Sequence, residues 1–327
     1  MSKEYSRQFA SFGTLRHAAE EEGVGLHSGV RVRVRLLPRD KPGIVFARVD
    51  LPGAPCVAAS FRCVSGTTHA TTLQQHQAVV VTTEHLLAAL WMMGVTHCRV
   101  ELDGPEVPIL DGSAAGWCRA IKAAGVVAPA PVSALPVSAL PVSALPATGP
   151  RTNAVPGLPE VSGVSGQPAL YTLREPVWVS DGNSSMLGLP HDALRVTVAV
   201  EYARSYVGAQ TFDSVLTPHS FETEIAPART FTLQEWIEPL RAQGLIRGGS
   251  TENALVLGAE APSAPWRFAD EVARHKALDV LGDVALLFGD NGGALHAHLI
   301  AVRAGHGLHK SWMAECLRRQ ALLVDVA

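Results

Sequence analysis

A repeated, proline-rich pentapeptide divides this chain into two parts. Val-Ser-Ala-Leu-Pro begins at Val132 and occurs three times in succession through Pro146, and more Pro and Gly residues follow. Proline at every fifth position removes backbone donors and interrupts helices, and the small residues between the prolines offer little surface to pack. We therefore predict a linker over residues 129–168, between an N-terminal domain of residues 1–128 and a C-terminal domain of residues 169–327. A partner-binding motif is the alternative interpretation of the repeats.

Length and composition indicate a cytoplasmic protein of two domains. A chain of 327 residues exceeds the usual size of a single core. The formal net charge of −3 argues against nucleic-acid binding as the main activity. Residues 1–8 are charged and lack the apolar run of a signal peptide, and no stretch approaches the roughly 18 consecutive apolar residues of a membrane span. We expect a cytoplasmic monomer without a transmembrane segment.

Hydrophobic patterns predict strands and helices in both parts of the chain. Residues 30–36 alternate Val or Leu with Arg, which is typical of a half-buried strand with a solvated arginine face rather than an anion-binding stripe. Residues 194–200 are rich in β-branched side chains and predict another strand. Helices are predicted over residues 84–93, from residue 114 to near Gly125, and over residues 268–288. The mixture predicts the α+β class.

Two distant motifs together contain the ligands of a catalytic zinc site. Thr83-Glu84-His85 opens one predicted helix, and His275 and Asp279 lie four residues apart on another. Residues four apart share a helix face, so His275 and Asp279 can bind one ion, with His85 as the third ligand. Two imidazoles and a carboxylate leave the fourth tetrahedral position to water, unlike a closed structural site. Glu84, next to His85, is then the candidate base. The five cysteines are scattered and include no CxxC pair, so the sequence does not predict a zinc site with thiolate ligands.

The second of these helices also has a simpler interpretation. Four polar residues follow one another at four-residue steps: Glu271, His275, Asp279 and Asp283. Such a row usually forms a solvated helix face, and metal binding requires that His85 reach it. Asp283 lies about 12 Å along the axis from His275, too far to share the ion. We expect Asp283 to serve His306 instead, whose flanking glycines predict a loop close to a ligand.

A series of short motifs, in order along the chain, resembles one enzyme family. The motifs are GVGLHSG (23–29), TEHL (83–86), PILDGSA (108–114), ARTF (228–231), GGS (248–250), HKALD (275–279), GD (282–283) and GH (305–306). The family is that of the UDP-3-O-acyl-N-acetylglucosamine deacetylases, zinc amidases of bacterial lipid A synthesis. The resemblance spans nearly everything except the first dozen residues and the linker. Two features depart from the family: the repeats are absent from its pattern, and Arg303 stands where Lys is common, which changes the phosphate geometry.

The resemblance implies both a fold and a set of catalytic residues. The implied fold has two α+β domains of related layered topology, with helices sandwiched between β-sheets and the active site at the domain interface. The implied zinc ligands are His85, His275 and Asp279. Glu84 would act as the general base, and His306, partnered by Asp283, would act as the acid.

Other implied residues would contact the substrate. Thr230 would help to stabilise the oxyanion, Phe231 would contact the substrate, and Lys276 and Arg303 would face the diphosphate. An insert near residues 229–253 would form a passage for the acyl chain. Its apolar helical stripe, which would otherwise be interpreted as ordinary core, comprises Leu233, Trp236, Ile237 and Leu240.

We predict zinc-dependent hydrolysis of the N-acetyl group of a UDP-linked, 3-O-acylated glucosamine, an early committed step of lipid A biosynthesis that releases acetate. In such a reaction zinc activates water and polarises the amide carbonyl, a base takes a proton, and an acid protonates the leaving amine. Two alternatives stay open: a deacetylase of a different amidated sugar, and a catalytically silent protein that binds zinc or a nucleotide sugar. Glu84, His306 and Asp283 argue against silence, because binding alone needs neither acid nor base.

Overall fold

The structure of the chain is a computed structural model that describes residues 13–128, 169–203, 205–290 and 292–325. The N-terminal residues 1–12 and the predicted linker of residues 129–168 lie outside the described residues. Among the helices within the described ranges, none has the length and apolar character needed to cross a bilayer.

Ten strands, two α-helices and the 3₁₀ turn Phe61–Cys63 form the part of the structure between residues 13 and 128. The strands are β1 (Gly13–Leu15), β2 (Ala19–Val24), β3 (Arg31–Pro38), β4 (Gly43–Arg48), β5 (Cys56–Ala58), β6 (Val64–Gly66), β7 (Thr72–Gln75), β8 (Ala78–Val80), β9 (Val95–Leu102) and β10 (Val126–Val127). The helices are α1 (Glu84–Met92) and α2 (Ala115–Ala124). Strands β6, β7 and β8 form a small antiparallel sheet, and the other seven form one mixed sheet.

Strand β3 shows how the sequence pattern produces a half-buried strand. Val32, Val34 and Leu36 are at most 1% exposed. The intervening arginines face solvent and pair with acidic residues of β2 and β9. Exposed pairs of this kind contribute only about 0–1 kcal/mol each, so the buried face holds the strand in place. The strand predicted over residues 30–36 is confirmed, with bounds shifted to Arg31–Pro38.

Nine strands and three helices of six residues or more form the part between residues 169 and 325. The strands are β11 (Ala169–Leu173), β12 (Val177–Asp181), β13 (Ser184–Leu189), β14 (Leu194–Tyr202), β15 (Gly208–Val215), β16 (Phe231–Leu233), β17 (Leu255–Leu257), β18 (Gly293–Val302) and β19 (Leu322–Asp325). The helices are α3 (Ile237–Ala242), α4 (Glu271–Val284) and α5 (His306–Arg318). Strands β16 and β17 form a parallel pair, and the other seven form a second mixed sheet.

The two large sheets have the same connectivity. Central strand β9 pairs antiparallel with β3 and parallel with β1 and β4. Central strand β18 pairs antiparallel with β13 and parallel with β11 and β14. Each of these partners has an antiparallel outer neighbour, β2, β10 and β5 in the first sheet and β12, β19 and β15 in the second. The predicted α+β class with two units of related layered topology is confirmed.

Helices α1 and α4 lie between the two large sheets. Helix α1 packs on β9, α4 packs on β14 and β15, and the two helices pack on each other. The polar row of α4 is therefore covered, and each of its members is at most 4% exposed: Glu271, His275, Asp279 and Asp283. The interpretation of this row as a solvated face is wrong. The helix predicted over residues 268–288 is shorter, and after Val284 it continues only as the 3₁₀ turn Ala285–Leu287.

Candidate active site

Three potential metal ligands meet where α1 faces α4. His85 lies in the first turn of α1, and His275 and Asp279 lie one turn apart on α4. Asp279 Oδ1 is 3.7 Å from Nε2 of His85 and 3.5 Å from Nε2 of His275. The candidate ligand atoms all lie within 4.8 Å of one another, and all three residues are buried. This geometry fits one cation held by two imidazoles and one carboxylate.

Surrounding contacts give these groups the protonation states that metal binding needs. His275 Nδ1 donates to the carbonyl oxygen of Ala228 at 3.1 Å, which leaves Nε2 of the neutral ring as the ligand atom. Lys276 Nζ donates to Asp279 Oδ2 at 2.6 Å. Burial opposes the charge of Asp279, but Lys276 and His275 hold its pKa well below the usual range. Burial, together with the nearby His275, lowers the pKa of His85 to about 3, so the three groups are ready to bind a cation.

Glu84 lies beside these ligands with its carboxylate out of solvent. The residue is 3% exposed, and the backbone N–H of Thr71 donates to Oε2 at 3.1 Å. Burial raises the pKa of Glu84 to about 7, although the nearby His306 favours the ionised form. A carboxyl group with this pKa gains and loses a proton near neutral pH, which suits a general base.

Gly282 lets α1 and α4 approach each other closely at this point. A β-carbon on residue 282 would lie 2.0 Å from the carbonyl oxygen of Glu84. Since real β-carbons do not come this near a backbone oxygen, any other residue would push the helices apart. Asp283 follows immediately on α4, so the glycine also determines how near Glu84 and Asp283 lie to each other.

Asp283 accepts hydrogen bonds from three side chains. Nδ1 of His306 and Nδ1 of His309 each lie 2.7 Å from Oδ2, and Thr71 Oγ1 donates to Oδ1 at 2.5 Å. Burial opposes the charge of Asp283, but His306 and the other donors hold its pKa well below the usual range. Burial likewise opposes the charge of His306, but Asp283 raises the pKa of this imidazole to about 9. His306 is therefore protonated at neutral pH, with Nε2 4.0 Å from Glu84 Oε1.

The sequence placed His306 in the wrong element and missed two of its neighbours. His306 opens α5, Gly305 is its extended cap, and Gly307 lies inside the helix, so the predicted loop is wrong. The spacing of His306 and His309 could have revealed that His309 lies beside His306, because residues three apart on a helix lie on the same face. No sequence pattern marks Thr71, since it lies in the irregular stretch before β7 and is brought to Asp283 only by the folding of the chain.

The candidate ligands and the buried pair of Glu84 and His306 open into one cavity of about 860 Å³. The four residues predicted to contact the substrate line its walls: Thr230, Phe231, Lys276 and Arg303. Arg303 adopts a left-handed backbone with φ of 52°, and its Nη1 donates to Glu201 Oε2 at 3.0 Å. Lys276 reaches the cavity next to Asp279, which it contacts directly. The cavity thus combines cationic side chains with the candidate metal site.

The predicted insert contributes apolar side chains to the cavity wall. Trp236, Ile237 and Leu240 line it. They do not form the single helical stripe that was predicted, because Trp236 ends a 3₁₀ turn and only Ile237 and Leu240 belong to α3. Leu233 is buried in β16 and belongs to the core.

A row of aromatic rings leads from the candidate metal site to the surface. The Phe231 ring lies 6.0 Å from the ring of His275, and the Tyr202 ring lies 5.5 Å from that of Phe231. Trp236 continues the row 6.4 Å from Tyr202, and it is 44% exposed. Such a wall can cover an apolar chain along its length.

Comparison with known proteins gives one consistent result. The chain matches the family described as UDP-3-O-acyl N-acetylglycosamine deacetylase over residues 13–141 and 160–318. It is 39% identical over 301 residues to the UDP-3-O-acyl-N-acetylglucosamine deacetylase of Nostoc sp., which covers 90% of this chain and 94% of the relative. The protein of the same name from Thermosynechococcus vestitus is 40% identical, and the match covers 90% of this chain and 90% of the relative. The one from Myxococcus xanthus is 37% identical, and the match covers 90% of this chain and 83% of the relative. The candidate metal ligands line a cavity, and the matches cover most of the chain. The chain therefore belongs to the UDP-3-O-acyl N-acetylglycosamine deacetylase family.

Proposed function

We propose that this protein uses zinc to hydrolyse the N-acetyl group of UDP-3-O-acyl-N-acetylglucosamine, releasing acetate in an early committed step of lipid A biosynthesis. The observation that carries the proposal is the convergence of His85, His275 and Asp279 beside the buried pair of Glu84 and His306. The names of the relatives support the choice of substrate, since the alignments to these relatives cover 90% of this chain.

The donor set supports zinc as the metal. Two imidazole nitrogens and one carboxylate oxygen are typical of hydrolytic zinc sites, which keep one position open. When bound, zinc lowers the pKa of water and polarises the amide carbonyl. The contacts of His275 with Ala228 and of Asp279 with Lys276 orient two of the ligands before the ion arrives.

Glu84 is the proposed general base. With a pKa near 7, its carboxylate accepts a proton from the attacking water as the new C–O bond forms. The backbone N–H of Thr71 holds Oε2, which leaves Oε1 toward His306 and the cavity. The helix dipole at the start of α1 adds a favourable interaction with the ionised form.

His306 is the proposed general acid. Its Nδ1 is engaged by Asp283, so the proton available for transfer is the one on Nε2, which lies on the Glu84 side. Donation of this proton to the amide nitrogen as the C–N bond breaks yields a neutral amine. Asp283 keeps the imidazole charged until that step, because its carboxylate raises the pKa of His306.

The remaining cavity residues are proposed to bind the substrate. We assign Thr230 to the oxyanion, Phe231 to the sugar, and Lys276 and Arg303 to the diphosphate. Lys276 would divide its three N–H donors between Asp279 and the substrate. Arg303 offers a planar fork that binds phosphate through two hydrogen bonds. The insert is proposed to hold the acyl chain along its apolar side.

Acetate release from the UDP-sugar with and without its 3-O-acyl chain tests the proposal. We expect rapid release only from the acylated substrate, abolished by a chelator and restored by zinc. Equal release from both would indicate a deacetylase of another amidated sugar, and zinc binding without any release would indicate a silent binding protein. The domain boundaries, the cytoplasmic location and the monomeric state stay predictions.

A further inference from the structure

His309 is a buried, titratable residue for which the proposed reaction has no use. It is 0% exposed, and its Nδ1 lies 2.7 Å from Asp283 Oδ2. Its Nε2 is buried without a hydrogen-bond partner among the residues that the structure describes. A charged ring would leave a buried N–H unpaired, which is costly, and burial accordingly lowers the pKa of His309. The ring is therefore neutral, with its proton on Nδ1.

His309 and His306 share one oxygen of Asp283. Each Nδ1 is 2.7 Å from Oδ2, the distance of a direct hydrogen bond to an ionised acceptor, and the two rings stand 81° apart. Thr71 occupies the other oxygen. His306 therefore does not have a carboxylate oxygen of Asp283 to itself.

Sharing weakens the attraction between Asp283 and the proton of His306. A hydrogen bond donated to a carboxylate stabilises its charge, so the carboxylate attracts a second proton less strongly. The His309 N–H dipole also points its positive end at the oxygen that the His306 proton approaches. The other titratable groups that face the two rings are Glu84 and His85 of α1, Lys276 and Asp279 of α4, and His27 after β2.

We propose that His309 is a positioning residue for the deacetylation: by sharing Asp283 Oδ2, it orients this carboxylate and limits how tightly His306 holds its proton. The inference rests on the proposed function, because His306 is the acid only in that reaction. Without His309, Asp283 would hold the imidazolium more strongly, and protonation of the leaving amine would become harder.

Two substitutions separate this role from simple packing. His309→Leu fills a similar volume but removes the donor, whereas His309→Asn places an amide N–H where Nδ1 stood. Nitrogen-15 NMR titration of the zinc-loaded protein follows the pKa of His306, and the pH dependence of kcat/KM follows turnover. In His309→Leu we expect the His306 pKa and the basic limb of the profile to rise together by about one unit. We expect kcat to fall with KM unchanged, and His309→Asn to behave like the wild type.

Several results would overturn the inference. One is an unchanged His306 pKa in folded His309→Leu, and another is a shift that His309→Asn does not reverse. If His309→Leu does not fold, the nitrogen-15 chemical shifts of His309 in the wild-type protein test the inference instead. The inference requires that His309 be neutral, with its proton on Nδ1, at pH 7. A proton on Nε2, or on both nitrogens, overturns the inference. These spectra need no substrate, so they remain decisive even if acetate release fails and the proposed function is refuted.

Discussion

Replacement of Gly282 by alanine tests whether the close contact of α1 with α4 holds the active site together. The new β-carbon would lie 2.0 Å from the carbonyl oxygen of Glu84. A tolerable carbon–oxygen contact needs roughly 3.3 Å, so the two helices must separate locally by about 1.3 Å. This movement would carry Glu84 and His85 away from His275 and Asp279.

The expected loss is larger for activity than for stability. Overpacking of a core contact costs about 1–3 kcal/mol, which corresponds to a melting temperature lower by roughly 1.5–4.5 °C for a protein of this size. A misplacement of about 1 Å between reacting groups lowers the rate by roughly 10²-fold. We therefore expect kcat for acetate release to fall about 10²-fold in Gly282→Ala, with a moderate drop in melting temperature.

Calorimetry and acetate-release kinetics check both effects. Gly307→Ala is the matched control, because it is also a helical glycine but its β-carbon would meet nothing closer than Thr67 Oγ1 at 3.6 Å. We expect this control to keep its melting temperature and kcat. Wild-type kcat and melting temperature in Gly282→Ala would refute the reasoning that the glycine is needed for the helix contact.

Further predictions concern the metal, the acid–base pair and the linker. Purified protein should contain about one zinc per chain, and elemental analysis should show most of it lost in His85→Ala; retention would exclude His85 as a ligand. Glu84→Gln should keep its zinc but lose roughly 10²-fold or more in kcat, because an amide cannot accept the proton, and near-normal turnover would rule out this base. The kcat/KM profile should be bell-shaped. Activity should fall as the pH drops through the pKa of Glu84, which lies at or below about 7 because a bound cation favours the carboxylate. It should also fall as the pH rises through the pKa of His306, which is about 9. An unchanged basic limb in His306→Ala would contradict the assignment of the acid. Deletion of residues 137–146 should leave acetate release unchanged, and a melting temperature lower by more than about 5 °C would show that the repeats are packed.

Sequence reasoning succeeded where neighbours along the chain determine the geometry. The alternation in β3 predicted its buried face because side chains of a strand alternate between two sides. The spacing of His275 and Asp279 predicted a shared face because a helix repeats every 3.6 residues. Both patterns depend only on the geometry of neighbouring residues in one strand or one helix.

It failed where the surroundings determine the role of a residue. The contact of Thr71 with Asp283 joins residues 212 positions apart, and no local pattern marks it. The polar row of α4 looked like a solvated face because nothing in its own sequence shows that α1 and the second sheet cover it. The glycines around His306 indicated a loop, but Gly305 adopts an extended cap from which a helix starts.

The matching connectivity of the two sheets bears on how such an enzyme can arise. Helices α1 and α4 each precede the central strand of their sheet, β9 or β18, and they pack against each other. If both sheets descend from one unit, two copies of that unit would have met through the same helix, as in a two-fold homodimer. Such a dimer must present identical residues from both helices. A duplicated chain escapes this requirement. Here α1 carries the proposed base and one candidate ligand, whereas α4 carries two candidate ligands and the partner of the proposed acid. Fusion thus permits a division of chemical roles that exact symmetry forbids.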